Sequence, residues 1–294
     1  MRMPEPLKTG DQIRIVAPSS SFARDRFDAG VEIIEAMGFA TSFDDSIFST
    51  DRFLAGNDDR RVAELRAALA DPEVRCIWVA RGGYGATRLL PLVEVAEVAR
   101  ADKWLVGFSD VTALHGLWSR AGCASVHGAN VTTLGNWSLD ARAELFGLLR
   151  GEKRAALRGR GVWGETSVAG PLIGGNLTVL AAMTGTVGLP SFAGAVVLLE
   201  DVGERPYRLD RTLTQLLQAG AFADVVGFAI GQLTECDESG ANFSALDSVV
   251  DVLSPLGRPI VAELPVGHEP SSRAVMLGLE VVLDSRAGTV TPRR

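Results

Sequence analysis

Ser109 stands between two patterns. Before it, Trp104-Leu105-Val106-Gly107-Phe108 is an apolar run of strand length; after it, Val111, Leu114, Leu117 and Trp118 recur at helical spacing. A hydroxyl at such a junction lies at the carboxyl end of a strand, where the following helix offers unpaired N–H groups and the positive end of its dipole. It can serve there as a nucleophile, with the backbone N–H of Asp110 meeting the developing oxyanion. Serine is also a favoured N-cap residue, so position alone leaves simple capping open.

A serine nucleophile needs a base, and the chain has three histidines, His115, His127 and His268. His115 follows Ser109 on the same helical pattern, and the 3.6-residue period turns it away from the junction. His127 and His268 each follow an apolar run, where an active crevice forms, although either can instead bond a carbonyl at a strand end. Glu200 comes directly after Ala195-Val196-Val197-Leu198-Leu199, and a carboxylate at the end of so apolar a strand needs a donor. An imidazole N–H would supply one and create a Ser-His-Glu relay. The alternative is a turn in which Glu200 and Asp201 pair with Arg205 or Arg208.

Arg81-Gly82-Gly83-Tyr84-Gly85 follows the apolar run Val74 to Ala80, and successive glycines let backbone N–H groups approach an anion. The turn lacks the Gly-Lys-Ser/Thr of a Walker loop and is not a full GxGxxG. Arg81, which precedes the turn, is the candidate cation for an anionic group there. Gly174-Gly175-Asn176 is either a second close-approach turn or a site of tight packing.

Positioning these groups takes alternating strands and helices. Strands are expected over Gln12 to Pro18, Phe39 to Asp44, Val74 to Ala80, Trp104 to Phe108 and near Ala124 to Val126. Helices are expected from Ser19-Ser20-Ser21 to about Met37, from Asn57 to Asp71-Pro72, over Ala86 to Leu92, and after Ser109. Such alternation, with continuously apolar strands, predicts a parallel sheet covered on both faces, closing near residue 150. The basic, glycine-punctuated stretch Gly151 to Gly164 reads as a crossing between domains. Beyond it come strands at Ala195 to Leu199, Val225 to Leu233 and Pro259 to Leu264, helices at Pro206 to Leu217 and Phe243 to Leu253, and a hairpin arm over Val275 to Leu283.

Composition narrows the partners. The 294 residues, 47% hydrophobic, suffice for about two domains with sizeable cores. A net charge of −7, with no basic run, argues against nucleic-acid and anionic-membrane surfaces. No run matches a membrane span, and Met1 to Lys8 lacks the apolar core of a signal peptide, so the cytoplasm is the expected compartment. Cys76, Cys123 and Cys236 are odd in number and widely spaced, which predicts reduced thiols and no structural zinc.

Several separated motifs resemble the LD-carboxypeptidase family of serine peptidases, which also contains the microcin C immunity peptidases. They are Gly10-Asp11-Gln12-Ile13-Arg14-Ile15-Val16-Ala17-Pro18-Ser19-Ser20, Arg81-Gly82-Gly83-Tyr84-Gly85, Gly107-Phe108-Ser109-Asp110 through His115, Gly174-Gly175-Asn176-Leu177, Leu199-Glu200-Asp201-Val202-Gly203-Glu204 and Pro265-Val266-Gly267-His268. The resemblance implies a triad of Ser109, Glu200 and His268, selecting His268 over His127. It implies an oxyanion hole from the backbone N–H groups of Asp110 and of a glycine in the Arg81-to-Gly85 turn, here taken as Gly83.

It further implies an α/β fold: a flavodoxin-like parallel-sheet N-terminal domain (1–150) carrying the nucleophile, and a smaller mixed α/β C-terminal domain (165–294) carrying Glu200 and His268. The family site lies between the two, usually in a homodimer, and needs neither metal nor cofactor. The implied reaction is release of terminal D-alanine from the L,D-bond of murein tetrapeptides during cytoplasmic wall recycling, so the partner is a small peptide or muropeptide. An immunity-type peptidase cleaving peptidyl or aminoacyl adenylates is the alternative within the class. A non-catalytic anion-binding protein and a nucleotide-dependent oxidoreductase are the alternatives outside it. The chain departs from the family where Ala129-Asn130 follows His127-Gly128, in place of the common proline, and where the segment after His268 lacks the usual Asn and Pro.

Overall fold

Strands β1 (Gln12–Val16), β2 (Ala40–Ser42), β3 (Val74–Val79), β4 (Trp104–Gly107) and β5 (Ser125–His127) all pair in parallel, in the order β5-β4-β3-β1-β2. Helices α1 (Arg24–Ala36), α2 (Asp58–Ala70), α3 (Val95–Ala101) and α4 (Thr112–Arg120) connect them, and α5 (Leu139–Leu149) follows. Every residue of β4 is buried, as a strand covered on both faces requires. This is the flavodoxin-like strand order, whose ligand crevice opens at the carboxyl ends of β1 and β3. The computed structural model describes residues 1–153 and 155–293. These fall into two compact units, Met1–Lys153 with Ala274–Met276, and the remaining described residues.

Local chemistry sets the ends of the first unit's elements. Asn57 caps α2, its Oδ1 accepting the Arg60 N–H at 2.9 Å. The helix expected from Ser19 begins only at Arg24, because Ser19 and Ser20 spend their hydroxyls on other partners described below. Ala86–Leu92 is a 3₁₀ helix, with Pro91 withholding one backbone donor.

The second unit contains β6 (Leu157–Arg158), β7 (Arg160–Trp163), β8 (Ser167–Asn176), α6 (Leu177–Ala182), β9 (Val196–Val202), α7 (Pro206–Gln218), β10 (Gly227–Thr234), α8 (Ala245–Leu253) and β11 (Ile260–Ala262). β12 (Val275–Leu277), β13 (Glu280–Asp284) and β14 (Thr289–Pro292) complete the strands. The sheet runs β6-β14-β13-β8-β9-β10-β11-β7, with β8 to β11 parallel and both flanks antiparallel. Six residues of β8 and six of β9 are buried, which places the core along the parallel centre.

Two expectations about connections fail. Much of Gly151 to Gly164 is not a crossing: it supplies β6 and β7, which pair antiparallel with β14 and β11. Its glycines allow that packing, since a Cβ on Gly161 would lie 1.7 Å from the Ser285 carbonyl oxygen. Arg154, within the same stretch, lies outside the described residues. Nor is Val275 to Leu283 one hairpin arm. It breaks at Gly278, where φ is +88°, so β12 joins the first sheet beside β5 while β13 pairs with β8 and β14.

The three cysteines are buried and free. No helix among the described residues is long and apolar enough to cross a membrane.

Candidate active site

Ser109 follows β4 with φ at +65°, a left-handed conformation that costs a non-glycine residue about 1–2 kcal/mol. It does not cap α4. A 3₁₀ turn, Ser109–Val111, intervenes, and Val111 occupies the N-cap position without a side-chain bond. A strained backbone of this kind persists only where its surroundings fix it.

Those surroundings are built from side chains distant in sequence. Asn130 Oδ1 accepts the Phe108 N–H at 3.2 Å, and Asn130 Nδ2 donates to the Phe108 carbonyl at 3.5 Å, gripping both peptide planes ahead of the serine. His115 Nε2 lies 2.9 Å from the Gly107 carbonyl oxygen, which only accepts, so Nε2 carries the proton and Nδ1 accepts from the Ser125 hydroxyl at 2.8 Å. Burial, with His127 nearby, lowers the His115 pKa to about 3 against the Gly107 bond, so the ring stays neutral. The Asp110 carboxylate, 2% exposed, accepts the Ser19 hydroxyl at 2.6 Å and the Ala86 N–H at 2.8 Å. One side chain thus ties the segment after β1 and the start of the 3₁₀ helix after β3 to the serine turn. Burial raises the Asp110 pKa, while these donors and the Arg61 charge oppose the rise.

The glycine turn after β3 lies against the serine. A Cβ on Gly82 would sit 3.0 Å from Ser109 Cβ and 3.2 Å from its Oγ, so the absent side chain at 82 lets the backbone reach the hydroxyl. Gly83, at φ +99°, faces Ser20, whose Oγ accepts the Tyr84 N–H at 3.1 Å. Arg61 is fully buried and donates to the carbonyls of Pro18 and, at 2.9 Å, Gly85, clamping the far end of the turn. Arg81 is exposed and donates to the Ser21 carbonyl.

In the second unit, Glu200 lies inside β9, which continues beyond it to Val202. The Glu200 side chain is 0% exposed and its Oε2 lies 2.8 Å from Nδ1 of His268, itself 15% exposed. A carboxylate accepting from Nδ1 fixes the tautomer and makes Nε2 the basic nitrogen of the neutral ring. Burial is the largest single influence on His268 and lowers its pKa. The hydrogen bond and charge of Glu200, with the charge of Asp201, together outweigh it and hold the pKa above 6.5.

Asp201 is buried beside Glu200. It accepts from Asn176 Nδ2 at 2.9 Å and from the backbone and hydroxyl of Thr178 at 3.0 and 2.8 Å, fastening the start of α6 to β9. The arginines offered as alternative partners are engaged elsewhere, Arg205 with Glu238 at 3.0 Å and Arg208 with Glu204. Gly174 serves close packing, since a Cβ there would lie 2.0 Å from the Leu198 carbonyl oxygen.

Glu200 and His268 therefore meet within the second unit, and Ser109, Asp110 and the glycine turn meet within the first. His127 lies in the first unit's core, 1% exposed, its ring 6.0 Å from Phe108 and 6.1 Å from His115. Sequence reasoning missed Asn130, the Asp110 side chain and Asp201, which act by holding backbone. The signal available was a polar residue inside or beside an otherwise buried run.

Residues 13–128 match the LD-carboxypeptidase N-terminal domain, and residues 169–283 match the LD-carboxypeptidase C-terminal domain. A putative carboxypeptidase of Synechocystis sp. is 38% identical, over 98% of this chain and 96% of its own. The murein tetrapeptide carboxypeptidase of Pseudomonas aeruginosa is 32% identical over 93% of each. Among solved structures, muramoyltetrapeptide carboxypeptidase from Oxalobacter formigenes aligns with a TM-score of 0.85 and 28% identity, covering 95% of this chain and 97% of that one. The wild-type microcin C7 self-immunity protein MccF aligns with a TM-score of 0.88 over 100% and 99%, a likeness of fold at 20% identity. Both domain matches and the full-length relatives agree: the chain belongs to the LD-carboxypeptidase family.

Proposed function

We propose that this chain is a serine carboxypeptidase that hydrolyses the L,D-peptide bond of murein tetrapeptides and releases the terminal D-alanine. Ser109 is the nucleophile, His268 the general base and Glu200 the residue that orients it. The observation carrying this reading is the buried Glu200–His268 bond at 2.8 Å, which makes Nε2 the basic nitrogen of the neutral ring. The reading requires that nitrogen to come within hydrogen-bond reach of the Ser109 hydroxyl.

In the first step Ser109 Oγ attacks the scissile carbonyl as His268 takes its proton, and Glu200 stabilises the resulting imidazolium. The N–H groups of Asp110 and Gly83 hold the oxyanion; Gly83 follows the glycine that lies against Ser109. His268 then gives its proton to the departing D-alanine amine. In the second step His268 activates water, which frees the peptide and restores the serine. Arg81 receives the substrate's terminal carboxylate.

The nucleophile belongs on this reading to an N-terminal domain of residues 1–150, and the Glu-His pair to a C-terminal domain of residues 165–294. We assign the reaction to cytoplasmic recycling of wall peptides by a homodimer.

The test is mass spectrometry of products from a panel of L,D-peptides and a peptidyl adenylate analogue, with wild type and Ser109→Ala. D-Alanine release from the murein tetrapeptide, lost in the variant, supports the proposal. Preferential cleavage of the adenylate analogue would move the assignment to the immunity-type activity, and full turnover by Ser109→Ala would end it.

A further inference from the structure

Neither Glu200 nor His268 explains how the loop bearing the imidazole is held. β9 and β10 are in register at Leu199 and Ile230 and again at Asp201 and Leu233, so between these pairs Glu200 faces two residues, Gly231 and Gln232. This is a β-bulge, a device that re-aims side chains beside functional positions. The loop after β11 lies directly on it. A Cβ on Gly231 would fall 2.2 Å from the Val266 carbonyl oxygen and 3.1 Å from Glu200 Cβ.

Gln232 then fastens that loop on both sides of His268. Its backbone N–H donates to the Val266 carbonyl at 2.8 Å. Its side-chain Oε1 accepts the Glu269 N–H at 3.1 Å and the hydroxyl of the fully buried Ser272 at 2.7 Å. Gly267 is wedged between the two groups that matter, for a Cβ there would lie 2.9 Å from Gln232 Oε1 and 3.4 Å from Glu200 Oε2.

We infer that Gln232 is a positioning residue, whose bulge and amide oxygen set the imidazole of His268 against Glu200. An amide suits the place because it supplies the acceptor without adding a third negative charge beside the buried Glu200 and Asp201. The kinetic part of this inference rests on His268 being the base; the structural part does not.

The experiment compares wild type with Gln232→Met, which keeps the side-chain length but loses the acceptor, and Gln232→Glu, which keeps the acceptor and adds a charge. The first readout is the downfield proton resonance of His268 Nδ1–H, assigned by its absence in His268→Gln. The second is kcat and KM across pH on a cleaved L,D-peptide. In Gln232→Met the resonance is expected to move or broaden, with kcat falling about 10²-fold and KM unchanged. In Gln232→Glu the resonance is expected to persist with near wild-type kcat on the alkaline plateau. Its acid limb moves to higher pH, because the added negative charge favours the imidazolium.

Gln232→Met with an unaltered resonance and kcat would overturn the inference. So would Gln232→Glu with a lost resonance or an unmoved acid limb, a test that stands even if the Met variant fails to fold. A displaced resonance in Gln232→Met with unchanged kcat would keep the positioning role and remove His268 from the chemistry.

Discussion

Replacing Glu200 by Gln removes one charge from the Glu-His pair at nearly constant shape. Glu200 is fully buried and its partner 15% exposed, so solvent screens the pair little. Opposite charges about 4 Å apart at an effective dielectric near 20 attract by about 4 kcal/mol. On the proposed mechanism that attraction is absent while His268 is neutral and develops as the imidazolium forms, so its loss is expected to fall on the transition state and to lower kcat about 10³-fold. The glutamine amide can also turn its NH₂ toward Nδ1 and hold the wrong tautomer, which brings the expected loss to between about 10³ and 10⁴.

The pH profile changes with it. Without the hydrogen bond and charge of Glu200, burial dominates, and the His268 pKa falls from above 6.5 to below it. The acid limb of the residual activity therefore moves to lower pH. Single-turnover D-alanine release across pH measures both effects. A Glu200→Gln enzyme within about tenfold of wild type, with an unmoved acid limb, would show that Glu200 does not stabilise the His268 imidazolium.

Other outcomes follow from the same geometry. Ser109→Gly is expected to abolish turnover while raising thermal stability by about 1 kcal/mol, since glycine adopts φ +65° without strain; calorimetry checks this. Gly82→Ala places a Cβ 3.0 Å from that of Ser109, so kcat is expected to fall with the fold retained by circular dichroism. Wild-type kcat/KM is expected to rise with pH through a value above 6.5, reporting the imidazole. The same raised pKa contributes stability in full below about 6.5, and that contribution is lost as pH rises through the folded-state value. Thermal melts of wild type and Glu200→Gln across that window are expected to converge toward alkaline pH. Asn130→Ala removes both bonds that grip Phe108 and is expected to cost stability and kcat together, measured by denaturant titration and steady-state kinetics.

What the sequence made legible was the framework at each strand end. Ser109 could be placed because hydrophobic spacing switches there from an unbroken run to a helical period, and the glycine turn because its glycines follow a buried strand. Glu200 stood out because an acid beside five apolar residues needs a donor, and the structure supplies one in His268. Contacts between distant positions were hidden. The grip of Asn130 on Phe108 spans 22 residues, and the tie from Asp110 to Ser19 spans 91. Neither leaves a periodic trace. The break at Gly278 was lost inside an apolar run, and the edge strands β6 and β7 were masked by glycines and arginines that read as linker. The bulge at Gly231-Gln232 is invisible for the same reason, since register depends on the partner strand.

On the proposed mechanism His268 and Glu200 make the Ser109 alcohol nucleophilic. The most direct test is the rate and site of modification by a fluorophosphonate, read by intact mass and peptide mapping. One adduct is expected on Ser109 of the wild-type enzyme, forming more slowly by at least about 10² in His268→Ala. Modification at another residue, or equal rates on Ser109 in both proteins, would contradict it.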